Sequence, residues 1–262
     1  NLNLNLLSEI ISIPSFSDLE SNINNIDPQM LYKISDDLHF KFANELKVDL
    51  NNKLKDIEKD IYKKWPEGKD ERKLIERIWR LLLYTNDSKL RKQLITYIDN
   101  NNMTLSKSVL NVFQNNNFKE REIISNKFFN KWKNNSIVLD SWFAFCASKE
   151  VNNYIENLEY LFNHKFFDKK SPNTLRSILN GFVSNNRLFH DRNGTGYKYI
   201  AEKIIEFDKL NPIIISRFIK IFSRWDQYIE PYRTNMFNAI KLIDSHDLSI
   251  NTREVIDLIL KK

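Results

Sequence analysis

Apolar residues recur at intervals of three and four along almost the whole chain, the spacing of helices with one buried face. The chain also has only four glycines in 262 residues, so little interrupts a helix. Sustained strand-like alternation is scarce, and no Asn-Gly pair joins two alternating apolar runs. The pattern predicts an all-α protein. The clearest helical stripes are Leu31, Ile34, Leu38 and Phe42; Leu74, Ile75, Ile78 and Leu82; and Tyr197, Ile200, Ala201 and Ile204.

Three proline residues mark where helices should begin. Asp27-Pro28, Ser171-Pro172 and Asn211-Pro212 each place a capping side chain before a proline at the first helical position. Together with shorter breaks at residues 101–103 and 247–251, these signals predict about a dozen helices of about 10–18 residues. A long series of helices without a sheet favours an α-α superhelix of stacked helices, an armadillo/HEAT-like solenoid, although no fixed repeat period is visible. No internal boundary is strong, so residues 1–262 are predicted to be one domain.

Three of the four glycines (Gly181, Gly194 and Gly196) lie between Ser171 and Arg217. Glycine adopts positive φ at low cost, so this concentration predicts an ordered corner at residues 190–196. Of the adjacent pair His190 and Asp191, one or the other is expected to hydrogen-bond the turn backbone, since neighbouring side chains rarely face each other as a catalytic pair.

The net charge of +6 comes mainly from lysines that alternate with acidic and amide residues. This arrangement favours solvated helix faces, and nucleic-acid binding is the less favoured interpretation. No apolar run reaches the roughly 20 residues of a membrane span, and no secretory signal is recognised. The single cysteine, Cys146, fits a reducing compartment. The expected location is cytoplasmic, without a membrane partner.

The sequence contains no HExxH zinc motif, no P-loop and no GxSxG elbow. The sharpest polar candidates are Arg176 and Arg217, which follow Pro172 and Pro212 within five residues. The helix dipole does not favour a cation near a helix N-terminus. We therefore expect each arginine to have a specific partner, either a carboxylate in a structural salt bridge or a ligand anion.

Several separate segments, in order, resemble the C-terminal helical domain of bacterial-type aminopeptidase N, of the M1 zinc metallopeptidase family. They cover nearly the whole chain. The resembling segments are EIISIPSFSDL, IDPQMLYKI, the NNMT turn at residues 101–104, KWKNNSIVLDSWF, SPNTLRS, FHDRNGTGY, NPIIISR and the Pro231-Tyr232-Arg233 group with Met236.

The resemblance implies an armadillo/HEAT-like domain that closes over an active site and limits peptide access. It implies no cofactor in this chain, a zinc ion in a catalytic domain absent from it, and as partners that domain of the same polypeptide and peptide substrates. Arg176 and Arg217 match arginines that face the substrate cavity in that family. Ile213 and Asn193 depart from the pattern, which often has Gln and Asp or Glu there. The alternatives are a free-standing helical-repeat module that binds a protein or peptide and, less favoured, a basic nucleic-acid binder.

Overall fold

The computed structural model describes residues 3–63 and 66–261. Within these ranges the chain forms sixteen α-helices and two short 3-10 helices and contains no strand, so the all-α prediction is confirmed. The predicted dozen helices were too few, because several helices of four to seven residues carry too little periodicity to be recognised. The helices are α1 Leu4–Ile10, α2 Phe16–Glu20, α3 Pro28–Glu45, α4 Lys47–Glu58, α5 Lys69–Leu83, α6 Ser88–Ile98, α7 Met103–Phe113, α8 Glu120–Trp132, α9 Ser136–Ala147, α10 Tyr154–Phe162, α11 Pro172–Ser184, α12 Asn186–Phe189, α13 Thr195–Phe207, α14 Pro212–Phe218, α15 Tyr232–Asp244 and α16 Ile250–Leu260, with 3-10 turns at Ile219–Phe222 and Trp225–Gln227.

The chain divides into two compact units. The first comprises residues 1–18 and 32–145, and the second comprises residues 19–31 and 146–262. Within each unit, helices pack against the next-but-one helix in the chain: α5 on α7 and α6 on α8 in the first, α13 on α15 and α14 on α16 in the second. Such packing of near neighbours is typical of stacked helical repeats. The assignment of residues 1–262 to a single domain stays a prediction.

The core of the first unit is built on α5. Leu74, Ile75 and Ile78 are buried, which confirms the stripe expected there. Trp79 of the same helix is also buried and stacks on Tyr97 with ring centroids 5.2 Å apart. An aromatic pair of this kind adds about 0.5–1.5 kcal/mol to the burial of its area. This packing fixes α5 against α6.

The core of the second unit is built on α13. Tyr197, Ile200 and Ile204 are fully buried, as their spacing predicts. At the end of α13, the buried Asp208 accepts hydrogen bonds from the Ser249 hydroxyl (2.7 Å) and the Thr252 hydroxyl (2.5 Å). A carboxylate at the start of α16 also suits the helix dipole. One side chain therefore fastens the beginning of α16 to the end of α13.

Helix α3 forms as expected but does not bury its apolar stripe. Leu31 is buried, whereas Ile34, Leu38 and Phe42 are 42%, 44% and 37% exposed. The side of the helix that packs is instead marked by Ala43, which is fully buried. The periodicity gave the correct helix and the wrong face.

All three prolines occupy the first position of a helix, as predicted. Asp27 caps α3 by accepting from the backbone N–H of Gln29 at 3.0 Å. Ser171 caps α11 by accepting from the N–H of Thr174 at 3.4 Å. The prediction that Asn211 caps α14 is wrong. Its amide side chain donates to the carbonyl of Lys169 at 3.0 Å and makes no cap bond to α14.

Trp65 and Pro66 belong to the segment between α4 and α5, which is described only in part, because Lys64 and Trp65 lie outside the described residues. On its C-terminal side, Gly68 adopts φ 67° immediately before α5. The buried Arg72 donates to the carbonyls of Lys63 (2.7 Å) and Glu67 (3.0 Å). These two bonds hold the described ends of the loop against the first turn of α5.

Candidate functional site

The glycine-bearing segment forms the ordered corner that the sequence predicts. Helix α12 ends at Phe189, and α13 begins at Thr195 after a turn in which Gly194 adopts φ 74°. A Cβ at Gly194 would lie 2.6 Å from Cγ of Asn235, and one at Gly196 would lie 2.7 Å from the carbonyl oxygen of Phe189. Both glycines are thus required by close packing, and Gly194 also by its backbone conformation.

His190 lies inside this corner. It is buried, and its Nδ1 lies 2.7 Å from the Tyr197 hydroxyl. Its ring stacks on Tyr228 with centroids 5.3 Å apart. Burial lowers the pKa of His190 to about 3, because the protonated ring would lose its hydration. His190 is therefore a neutral core residue at physiological pH.

Asp191 has the turn-stabilising role that the sequence indicates. Its Oδ1 accepts from the backbone N–H of Asn193 at 3.2 Å. This is a local Asx-type bond that closes the turn before Gly194. The corner is consequently a structural element that orients α13, and the side chains of His190 and Asp191 are both engaged within it.

Arg176 is the fifth residue of α11 and lies in the N-terminal half of that helix, as predicted. The side chain is exposed, and Nη2 donates to Oδ1 of Asn173 at 2.9 Å. No ion pair of Arg176 is formed with the residues that the structure describes. The guanidinium thus keeps donors available for a further partner.

Arg217 is placed differently from the expectation. Helix α14 has only seven residues, so Arg217 lies in its last turn and not near its N-terminus. A cation is favoured at that end of a helix, and the dipole argument therefore fails for this residue. Arg217 is exposed and has no hydrogen-bond or ion-pair partner within the described ranges. Both arginines belong to the second unit.

An ion cluster around the buried Lys203, between α10 and α13, is not predicted from the sequence; its two carboxylates, Glu159 and Glu206, are partly exposed. Nζ of the buried Lys203 lies 2.9 Å from Glu159 and 2.8 Å from Glu206, above the ring of Phe162. Burial opposes the charge of Lys203, but the hydrogen bonds to the two carboxylates outweigh it and raise the pKa of the lysine. Only the Lys203–Glu206 spacing is visible in the sequence. Glu159 lies 44 residues away, and no local pattern links it to Lys203.

Neither a metal site nor a membrane segment is found in the described part of the chain. No group of three or more His, Cys, Asp or Glu side chains is close enough there to hold a metal ion. None of the described helices combines the length and the apolar character needed to cross a membrane.

The packing of these helices defines an all-α protein of stacked repeats. A family model described as "Domain of unknown function (DUF3458_C) ARM repeats" matches residues 1–261, and the chain belongs to this family. The predicted class of armadillo-like stacked helices is thereby confirmed.

The relatives confirm the resemblance to aminopeptidase N. The chain is 26% identical over 241 residues to aminopeptidase N of Haemophilus influenzae, covering 91% of this chain and 27% of that protein. It is 26% identical over 239 residues to aminopeptidase N of Escherichia coli, covering 90% and 27%. The matched part is the C-terminal region of these longer peptidases, so the chain spans about a quarter of their length.

A solved structure has the same fold. The chain superposes on the crystal structure of Legionella pneumophila aminopeptidase A in complex with aspartic acid with a TM-score of 0.86 and 27% sequence identity. The match covers 99% of this chain and 32% of that chain. The chain is thus homologous to a domain of a peptidase.

Proposed function

We propose that this chain is the non-catalytic C-terminal domain of a zinc aminopeptidase of the M1 family, which caps the active-site cavity and limits peptide access. The observation that carries the proposal is the match of almost the whole chain to the C-terminal region of aminopeptidase N proteins. The complete enzyme would remove N-terminal residues from peptides. The zinc ion would be held outside this chain, in the catalytic domain of the same polypeptide, where it would activate water for attack on the peptide bond.

Arg176 and Arg217 are the proposed cavity residues. They match the arginines of the family's PN..RS and NP….R segments, and both side chains are exposed. Peptides carry a C-terminal carboxylate, and arginine binds a carboxylate through parallel N–H···O bonds. The two residues would hold or select peptides that enter the cavity. The proposal includes a cytoplasmic location, which the single cysteine supports.

Activity measurements test this function. The purified 262-residue chain should hydrolyse no aminoacyl anilide and bind no stoichiometric zinc. The polypeptide as its gene encodes it should hydrolyse the same anilide, and a chelator should abolish that activity. Robust turnover by the 262-residue chain would overturn the proposal. A reading frame without HExxH before the chain would favour the free-standing helical-repeat module instead.

A further inference from the structure

Exposed apolar side chains are concentrated in the first helices of the chain. Of the eighteen large apolar residues that are exposed in the described ranges, nine lie between Leu6 and Val48. Single exposed apolar residues are normal on a protein surface, whereas neighbouring ones that form a contiguous patch mark an interaction surface. The first 48 residues therefore differ from the rest of the molecule, where such residues are scattered.

Three of the nine form a line on α3 within the first unit. Ile34, Leu38 and Phe42 follow one another at intervals of four, which places them one above another on the same side of the helix. We call these three residues the α3 stripe. It extends over about 12 Å, at a rise of 1.5 Å per residue.

The side of α3 that packs inside the unit lies about a third of a turn around the helix axis from the α3 stripe. Tyr32 stacks on Phe16 with centroids 5.2 Å apart, and His39 stacks on Tyr84 at 4.8 Å. Ala43 is fully buried on the same side. These contacts fix the rotation of the helix, so that the α3 stripe faces outward.

Charged residues border the α3 stripe. Asp37, Lys41 and Glu45 are all exposed, and each lies three residues after one member of the α3 stripe, beside it on the helix surface. An apolar line with a polar rim is the arrangement of a surface that another protein segment covers.

We propose that the α3 stripe is the surface on which the polypeptide preceding this chain packs in the complete protein. The chain corresponds to the C-terminal quarter of its relatives, so most of their length precedes it. The inference deepens the proposed function, on which it rests, because it names the surface that holds this domain to the rest of the peptidase.

The small size of the stripe favours this occupant over a second copy of the chain. A stable dimer buries about 800 Å² on each partner. Three partly exposed side chains on one helix are far less than that. A segment joined covalently to the chain has a high effective concentration at the stripe, so a small apolar surface is sufficient to hold it.

The test is amine cross-linking with mass spectrometry on the polypeptide as its gene encodes it. Lys41 lies three residues after Leu38 and is exposed, so it reports on whatever covers the stripe. In the unaltered polypeptide, Lys41 should link to lysines that precede the 262 residues. The triple variant Ile34→Gln, Leu38→Gln and Phe42→Gln should lower the yield of these links at least tenfold.

A matched triple variant provides the control. Ile137→Gln, Ile250→Gln and Leu258→Gln remove three apolar side chains that are 79%, 78% and 63% exposed, and this variant should keep the Lys41 links. Circular dichroism checks that each variant is folded. If the stripe triple unfolds, the single variant Leu38→Gln should still lower the yield several-fold.

Three results would overturn the inference: Lys41 links only to lysines of the same 262 residues, links between two copies that disappear on dilution, or equal loss of links in both triple variants. The measurement does not depend on catalysis. An active aminopeptidase without these links would contradict only this inference, whereas a linked but inactive polypeptide would contradict only the proposed function.

Discussion

His190 illustrates how the surroundings of a residue determine its chemistry. In the sequence it is followed by Asp191, and His and Asp are residue types that often form a catalytic pair. In the fold its ring lies among Phe189, Tyr197 and Tyr228, and burial keeps it neutral. A histidine that stays neutral in the folded protein, at a pH where the same histidine is protonated in the unfolded chain, makes the stability of the protein depend on pH.

We expect this dependence to be measurable in the variant His190→Gln. The pKa of His190 is about 3 in the folded protein and about 6.5 in the unfolded chain, so between these values only the unfolded chain gains a proton. The wild type should therefore lose stability as pH falls through this window, by up to about 1.4 kcal/mol per pH unit from this residue. The variant lacks this loss. The amount by which the unfolding free energy of the wild type exceeds that of the variant should therefore decrease from pH 7 to pH 4.

Urea unfolding at several pH values measures the difference. Phe189→Leu is the matched control, because it alters the same aromatic cluster without changing a titratable group. Its difference from the wild type should stay constant over the same range. A constant difference for His190→Gln as well would show that His190 does not govern the pH response.

At the scale of single helices, the proline signals located three helix starts correctly, and the capping roles followed for two of them. Asp27 and Ser171 accept from the expected N–H groups. Asn211 does not, because its side chain satisfies a carbonyl 42 residues away at Lys169. A capping residue is identified by its position before a helix, but a competing tertiary partner cannot be seen in the local sequence.

Because of this difference, exchange of Asp and Asn should change the unfolding free energy by different amounts at the two positions. Asp27→Asn keeps a side-chain oxygen for the N–H groups of α3 and should change the unfolding free energy by less than about 0.5 kcal/mol. Asn211 is buried, and Asn211→Asp replaces its donor to the Lys169 carbonyl with a carboxylate oxygen that faces this carbonyl, so it should cost about 1–3 kcal/mol. Thermal or urea unfolding of both variants provides the comparison. Equal effects would mean that both residues act as ordinary caps.

Apolar periodicity was sufficient to identify helices but not always their buried faces. It was correct for α5 and α13, where the stripe and the core coincide. It failed for α3, since Ile34, Leu38 and Phe42 follow the same spacing while exposed. The spacing of a surface that binds another segment is identical to the spacing of a core, and only the fold distinguishes the two.

At the scale of the whole molecule, the fold class and the family were predictable from the sequence, whereas the environment of the candidate arginines was not. The short length of α14 reversed the dipole argument for Arg217, and four-to-seven-residue helices leave no clear periodic signal. For the proposed cavity site, the structure adds that both guanidinium groups are exposed and that both belong to the second unit.

We expect Arg176→Ala and Arg217→Ala to alter substrate binding more than stability in the gene-encoded polypeptide. Exposed side chains without ion pairs in the described residues contribute little to folding, so each variant should change the unfolding free energy by less than about 0.5 kcal/mol. If the arginines bind peptide carboxylates, KM should rise several-fold with kcat nearly unchanged, or the preferred peptide length should shift. Steady-state kinetics on peptides of two to six residues measure both quantities.

Arg187→Ala is the control, because this exposed arginine of the same unit already lies 4.0 Å from Glu150 and should leave KM unchanged. Parallel losses of stability and activity would show that Arg176 and Arg217 are structural, and unchanged kinetics in both variants would remove them from the cavity.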